Sequence, residues 1–358
     1  MTRFALIGGG WRAEFFARIA QSLPDRFQLT GTYLRDPAKR PAWHARFGGR
    51  MADTMEELTQ DKPDYLILSI SKGASTNALL RLMDLHIPIL CETPPANSLE
   101  DMHRVWNAAQ EKHAIVQVAE QYLDQPLYQA WMRAVRESML GQVSNISLSA
   151  VHTYHAVSLI RGFLGTGFGN VALTGCRHSF PVRQTDARPG MVTDGAVRPE
   201  TRDRLTFQFD GGQTAFFDFS GVQYHSFIRT RQFNLQGDQG EIDDLTLRWI
   251  GPDGLPLCQN LTRHERGPFN NSDLGCLGLE LGGRWLWRNP YPHARLNDDE
   301  VAIALLMERM GSLSRGESDI PAYSLADGLQ DAYIGLMMEE ALTHPWQTIR
   351  TQTQPWAI

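Results

Sequence analysis

Over its first third the chain alternates short, continuous apolar runs with stretches of helical spacing. Phe4 to Ile7, Phe27 to Leu34, Tyr65 to Leu68, Ile87 to Cys91 and Ile115 to Ala119 read as strands. Runs of this kind, without polar alternation, mark strands covered on both faces. Between them, Trp11 to Leu23 places Phe15, Phe16, Ile19 and Ala20 on one helical face. Trp43 to Phe47 begins a second helix, and Thr76 to Leu85 and Leu99 to Lys112 read as two more. Alternating strands and helices predict βαβ units and a parallel sheet.

After about Tyr122 the pattern changes. Pro126 to Met139 reads as a helix, and strand-like segments follow at Val143 to Tyr154, Arg204 to Asp210, Thr214 to Ser220, Arg229 to Gln236 and Leu245 to Ile250. Gly211-Gly212 between two of these is a hairpin signal. Helices are expected near Asp298 to Leu313 and Ala326 to Leu342. Gly165 to Arg202 and Gly251 to Pro292 are rich in Gly, Pro and Arg and read as long loops, a length more often functional than decorative. At 358 residues the chain exceeds what one core usually supports, so two domains are expected. The predicted division is 1–122, an α/β unit with a parallel sheet, and 123–358, an α+β unit whose last helices pack back.

Hydrophobic residues make up 42% and charged residues 21%, with a formal net charge of -6 and no long run of one sign. That is an ordinary globular composition with no basic footprint for nucleic acid or a membrane surface. The cysteines Cys91, Cys176, Cys258 and Cys276 form no CxxC pair, which fits reduced thiols better than a zinc knuckle or a disulfide framework. Phe4 to Ile7 is too short for a signal-peptide core, and no stretch is long enough to span a bilayer. The expectation is a cytoplasmic protein with a small-molecule substrate and neither nucleic acid nor membrane as partner.

Gly8-Gly9-Gly10-Trp11-Arg12-Ala13 fits G-x-G-x-x-G/A, with an apolar strand before it and an amphipathic helix after. This is the Rossmann arrangement: Gly8 makes the tight turn, Gly10 admits the pyrophosphate, and Ala13 permits close packing. The helix N-terminus, at Trp11, turns its free N–H groups toward the phosphates, and Arg12 is placed to add a charge. The second strand should end in an acid that holds the ribose of NAD. Here Leu34 occupies that place and Arg35 follows, which favours the 2′-phosphate of NADP. The alternative is a solvated Arg35 with Asp36 on the ribose. NAD or NADP is therefore the expected cofactor.

From Cys91-Glu92-Thr93-Pro94 onward the layout resembles the glucose-fructose oxidoreductase / inositol dehydrogenase (Gfo/Idh/MocA) family. Asp64 to Ile67 resembles its fourth strand, Gly141-Gln142-Val143 its turn into the second domain, Gln236 to Ile242 its G-T-x-G-x-I strand pair, and Asn297 to Ala302 the start of its returning helix. The resemblance implies a second domain with an open, mostly antiparallel sheet. It also implies cofactor contacts at Ser71, Glu92 and Thr93, and oxidoreductase chemistry on a CH–OH group of a sugar, polyol or related carbonyl compound. A flat sheet face needs covering, and with the resemblance this predicts a homodimer or homotetramer.

The departures from the family pattern matter as much. Its E-K-P lysine is Thr93 here, which cannot supply an ammonium. Ser71 and Ser75 stand at the apparent Pro and His positions of T-P-x-x-x-H. In the D-x-x-x-H-x-x-D motif His155 matches the histidine, while Val151 and Ser158 replace the acids. A histidine suits the proton transfer that accompanies hydride transfer from a carbinol. His155 is thus the leading catalytic candidate and His152 the second, against a buried structural role for each. No metal site is expected. Tyr122, Thr93 and Arg161 are substrate candidates, although a helix-surface salt bridge is the plainer reading of Arg161. His178 and His225 are weaker candidates, and Trp285 and Trp287 suit a sugar ring or a subunit contact. Two rival classes stay open because of Thr93: a dinucleotide-binding sensor without turnover, and a lyase or hydrolase with tightly bound NAD.

Overall fold

The computed structural model describes residues 1–187, 190–266 and 275–357. Its first sheet is built from β1 (Thr2–Ile7), β2 (Phe27–Tyr33), β3 (Arg50–Ala52), β4 (Tyr65–Leu68), β5 (Ile89–Cys91) and β6 (Val116–Val118). All six are parallel, in the order β3-β2-β1-β4-β5-β6. Alternate residues of a strand point to opposite faces. Phe4, Leu6, Tyr65 and Ile67 therefore enter one core, together with α1 (Trp11–Ser22) and α7 (Asp298–Ser314). Ala5, Ile7, Leu66 and Leu68 enter the other, together with α3 (Lys72–Met83) and α4 (Leu99–Glu111). The short α2 (Arg40–Phe47) packs Trp43 and Phe47 into the first core.

α5 (Pro126–Arg136) leads to the second sheet. Its strands are β7 (Val143–Ser149), β8 (Val171–Arg183), β11 (Val197–Phe209), β12 (Thr214–Phe219), β13 (Gln232–Gly237), β14 (Gly240–Asp243), β15 (Thr246–Ile250), β16 (Pro256–Arg266), β17 (Gly275–Leu281), β18 (Arg284–Arg288) and β19 (Ile349–Arg350). A two-stranded ribbon, β9 (Asp186–Ala187) with β10 (Gly190–Met191), stands apart. The large sheet runs β18-β17-β16-β15-β14-β13-β7-β12-β11-β8-β19, and only β7 and β12 pair in parallel. Ile146, Leu148, Leu205, Phe207, Phe217, Phe233 and Leu235 are buried on its inner face. The outer face carries Arg204, Thr206, Gln208 and Asp218, with Phe216 46% exposed. The chain is an α/β protein: a parallel Rossmann sheet followed by a mixed, mostly antiparallel one.

Two helices join the sheets. α6 (Thr153–Leu164) follows β7, and α8 (Leu325–Thr343) packs on α6 and β8 while touching α4 and β6. Their lock is electrostatic. Arg161, 5% exposed, donates to Asp331 at 2.6 Å and to Asp327 at 3.0 Å. The substrate candidacy of Arg161 is corrected accordingly in favour of the plainer ion-pair reading, although the pair is buried between two helices and not on a helix surface.

Several expected boundaries also move. The strand read as Val143 to Tyr154 stops at Ser149, and His155 lies in the first turn of α6. That helix is buried on every side, so it has no polar stripe to announce where it begins. α3 starts earlier than expected, at Lys72. The two long loops are largely strands. Val171–Arg183 pairs with Val197–Phe209 in an antiparallel ribbon whose outer half is solvent-exposed. β16, β17 and β18 occupy most of Gly251 to Pro292, with bulges at His264/Glu265 and Leu279/Glu280. Exposed, bulged ribbon tolerates the Gly, Pro and Arg content that reads as loop. The parts of those segments at 188–189 and 267–274 lie outside the described residues.

Replacing Arg161 by Met leaves the fully buried Asp331 without its cation, while Asp327, 38% exposed, keeps access to water. Breaking a buried pair on one side costs about 3–5 kcal/mol. Denaturant unfolding of Arg161→Met should show a loss of that order, and a loss below about 1 kcal/mol would contradict the assignment.

Candidate active site

β1 runs into Gly8, whose φ of +123° favours glycine and where a Cβ would lie 1.9 Å from the Ser69 carbonyl oxygen. At Gly10 a Cβ would meet nothing within 4 Å. Gly10 also caps α1 without a side-chain partner for the helix N–H groups. A side-chain-free turn, open space and uncapped donors are what a pyrophosphate requires, so the residues present fit a dinucleotide. Ala13 is fully buried beneath the turn. Arg35 is exposed just past β2. Asp36 is engaged as the cap of a short 3-10 turn, accepting from the Ala38 N–H at 3.0 Å.

A cavity of about 940 Å3 opens between the carboxyl ends of the first sheet and the second domain. Trp11, Arg12, Glu92, Thr93, Tyr122, His152 and His155, all predicted from sequence, line it, as does His225. Gly8, Gly10, Ala13, Arg35 and Ser71 lie outside its lining. His178 is elsewhere, its Nε2 3.0 Å from the Cys176 Sγ. Trp287 is a core residue, and Trp285 borders a separate depression with Arg133, Arg284 and Arg288.

The centre of the site is a carboxylate that sequence reasoning did not single out. Glu120, 1% exposed, stands just past β6. Its oxygens accept from the Tyr122 N–H at 3.1 Å and from the Ser158 hydroxyl at 3.0 Å, and one lies 2.5 Å from His155 Nδ1. With Nδ1 donating to Glu120, this network assigns Nε2 as the basic nitrogen of His155. Ser158, one turn along α6, therefore positions the acid instead of replacing it. Glu120 had a faint signal: a carboxylate closing an apolar strand at the ligand-bearing edge of the sheet.

Arg12 is not free for phosphate. Its guanidinium donates to Glu92 at 3.0 Å and Asp299 at 2.7 Å. Burial opposes its charge, but the two carboxylates hold the guanidinium protonated beyond its ordinary range. Burial likewise pushes Asp299 up, but Arg12, Gln121 and Gln125 together hold it below the usual carboxylate value. The added-charge role expected of Arg12 is thus corrected to that of a clamp between the glycine-turn helix, the Glu92 loop and α7.

His152 is the N-cap residue of α6. The Tyr224 hydroxyl accepts its backbone N–H at 3.0 Å and lies 2.6 Å from Nδ1. One edge of the ring opens on the cavity. Crowding by protein, then the neighbouring His155 and Lys72, lower its pKa to about 3. Lys72 lines the cavity from the first turn of α3 and, among the described residues, makes no ion pair. Its carbonyl is held by the Asn97 side chain at 3.0 Å, tying it to the loop that carries Thr93. A lysine at a helix N-terminus opposes the helix dipole, but the sequence reading, which began this helix at Thr76, could not register the mismatch. Among the described residues, no group of three or more His, Cys, Asp and Glu is placed to hold a metal ion.

The family described as an oxidoreductase family with an NAD-binding Rossmann fold, GFO_IDH_MocA, matches residues 2–120. The matched segment takes in the whole parallel sheet, from β1 to β6. No curated protein matches the chain. Among solved structures, an oxidoreductase from Agrobacterium radiobacter, in complex with NAD+, L-tartaric acid and magnesium, is similar at 17% identity and a TM-score of 0.68, covering 97% of this chain and 98% of that one. An NAD-binding oxidoreductase from Klebsiella pneumoniae is similar at 14% identity and a TM-score of 0.69, covering 99% and 100%. The WlbA dehydrogenase of Chromobacterium violaceum, in complex with NADH and UDP-GlcNAcA, is similar at 17% identity and a TM-score of 0.65, covering 99% and 96%. At these identities the likeness shows a shared fold. Among the described residues, no helix is long and apolar enough to cross a membrane. The loop after β5 carries Thr93, and the cavity's lysine comes from α3 instead.

His152 should stay neutral from pH 8 down to about pH 5, because its lowered pKa means the folded protein rejects the second proton. Its imidazole NMR signals should not titrate over that interval, and Lys72→Met, which removes a repelling charge, should move the midpoint upward. A midpoint near the ordinary 6.5 in the parent protein would contradict this geometry.

Proposed function

We propose that the protein is an NAD(P)-dependent dehydrogenase or reductase acting on a CH–OH or carbonyl group of a sugar, polyol or related compound. The carrying observation is the Glu120–His155 pair on the cavity that also borders the glycine-turn helix. The bound nicotinamide supplies the hydride acceptor or donor. His155 takes the hydroxyl proton at Nε2, and Glu120 balances the imidazolium that forms while keeping the ring oriented. Lys72 provides the positive charge that Thr93 cannot, favouring the alkoxide as it develops. Tyr122, its ring 4.5 Å from that of His155, bounds the substrate space. The neighbours solved with NAD+ and NADH, one beside L-tartaric acid and one beside a UDP-sugar, support this reading.

Arg35, with Asp36 occupied as a cap, supports NADP over NAD. The reading extends to a cytoplasmic homodimer or homotetramer built on the outer face of the large sheet, which light scattering of the purified protein and fractionation of the source cells test.

Titration of the purified protein with NADH and NADPH, followed by fluorescence, should show binding of both with NADPH tighter, and Arg35→Ala should remove the difference. With a turned-over sugar or polyol, His155→Ala should lower kcat/KM by roughly 10²–10⁴, the range for loss of a general base. Glu120→Gln should lower kcat and shift the pH profile while leaving dinucleotide affinity intact. Failure to bind any dinucleotide would overturn the proposal. Thr93 keeps one second reading: binding without turnover across a broad panel would point to a sensor, and stoichiometric NAD in the purified protein to a lyase or hydrolase.

A further inference from the structure

Resting on that reading, we propose that the substrate is a carboxylated sugar or polyol whose carboxylate is held by Arg231. Arg231 lines the cavity from the segment that leads into β13. Its guanidinium sits over the Tyr224 ring, 5.2 Å from the centroid. A guanidinium lying over an aromatic ring keeps its in-plane N–H fork available, and that fork matches a planar carboxylate in bidentate fashion.

The partners of the neighbouring charges sharpen the contrast. Arg12, the other lining arginine, is closed by Glu92 and Asp299, and the lining carboxylate of Glu339 is engaged by Arg177. Asp186 also lines the cavity and accepts its own neighbour's N–H, from Ala187, at 2.8 Å. Among the described residues Arg231 pairs with no carboxylate, Asp186 included.

The surroundings of Arg231 suit an anion in a second way. Its charge bears on the phenols of Tyr122 and Tyr224, yet burial, the larger influence, keeps both hydroxyls protonated. They remain O–H groups beside the guanidinium, with His152 held neutral by the same wall. An exposed cation on the cavity wall, beside neutral hydroxyls and in the same cavity as His155, offers a carboxylate site next to a carbinol site. A neutral sugar would offer that cation no opposite charge, which favours an acid over its neutral counterpart.

Calorimetric titration tests this, using the full chain alone and saturated with NADH. The probes are D-gluconate, D-glucuronate and D-galacturonate, against D-glucitol, D-glucose and D-galactose, which lack only the carboxylate. At least one acid should bind tenfold or more tighter than its neutral counterpart. Arg231→Gln should abolish that preference, Arg231→Lys should keep part of it, and neither should alter NADH affinity. Equal binding of acids and neutral sugars, no binding of any acid, or an acid preference that survives Arg231→Gln would overturn the proposal. A fall in NADH affinity in Arg231→Gln would overturn it too, by assigning the arginine to the cofactor. Absence of all dinucleotide binding would instead bring down the dehydrogenase reading, and the titration of the chain alone would still decide the carboxylate.

Discussion

One buried carboxylate connects the parts of this protein. Glu120 leaves the last strand of the parallel sheet and meets α6 of the second domain through His155 and Ser158. A carboxylate taken out of water is costly unless its oxygens are filled with donors. Here a backbone N–H, a hydroxyl and an imidazole fill them. The same contacts that make its burial tolerable also fix the histidine tautomer and aim the basic nitrogen at the cavity. Stability and catalytic geometry rest on one set of hydrogen bonds.

Around that centre, charge is distributed by wall. On the Rossmann side Arg12 is enclosed by Glu92 and Asp299, so it braces α1 against α7 and leaves the pyrophosphate to backbone N–H groups. Farther out, Arg161 does similar work between α6 and α8. Lys72 and Arg231 differ from these. They face the cavity from opposite domains without a described carboxylate partner, and each acts on a neighbour, Lys72 on His152 and Arg231 on the tyrosines. Cations that brace the fold and cations that face the cavity are thus separate sets of residues.

Much of the fold was legible because its cause is local. Apolar runs such as Tyr65 to Leu68 and the glycine turn after Ile7 carry their structure in adjacent residues. The turn is legible from its glycines alone, although the reason Gly8 admits no side chain, the Ser69 carbonyl, lies 61 residues away. Where the cause was not local, the reading slipped. α6 hides its start because it is buried all round, and the long β8–β11 ribbon looks like loop because half of it faces water.

The sequence by itself determined the parallel sheet and the nucleotide-binding turn, which follow from neighbouring residues and their periodicity, while the meaning of Thr93 and the candidacy of His155 rested on the family resemblance. Only the tertiary structure decided that Glu120 orients that histidine, that Arg12 and Arg161 are spent on carboxylates, and that Lys72 and Arg231 face the cavity. The physical reason is distance along the chain. Hydrogen bonds and ion pairs between residues far apart in sequence leave no periodic trace, and burial alone decides whether a charge is paired, silenced or left for a ligand.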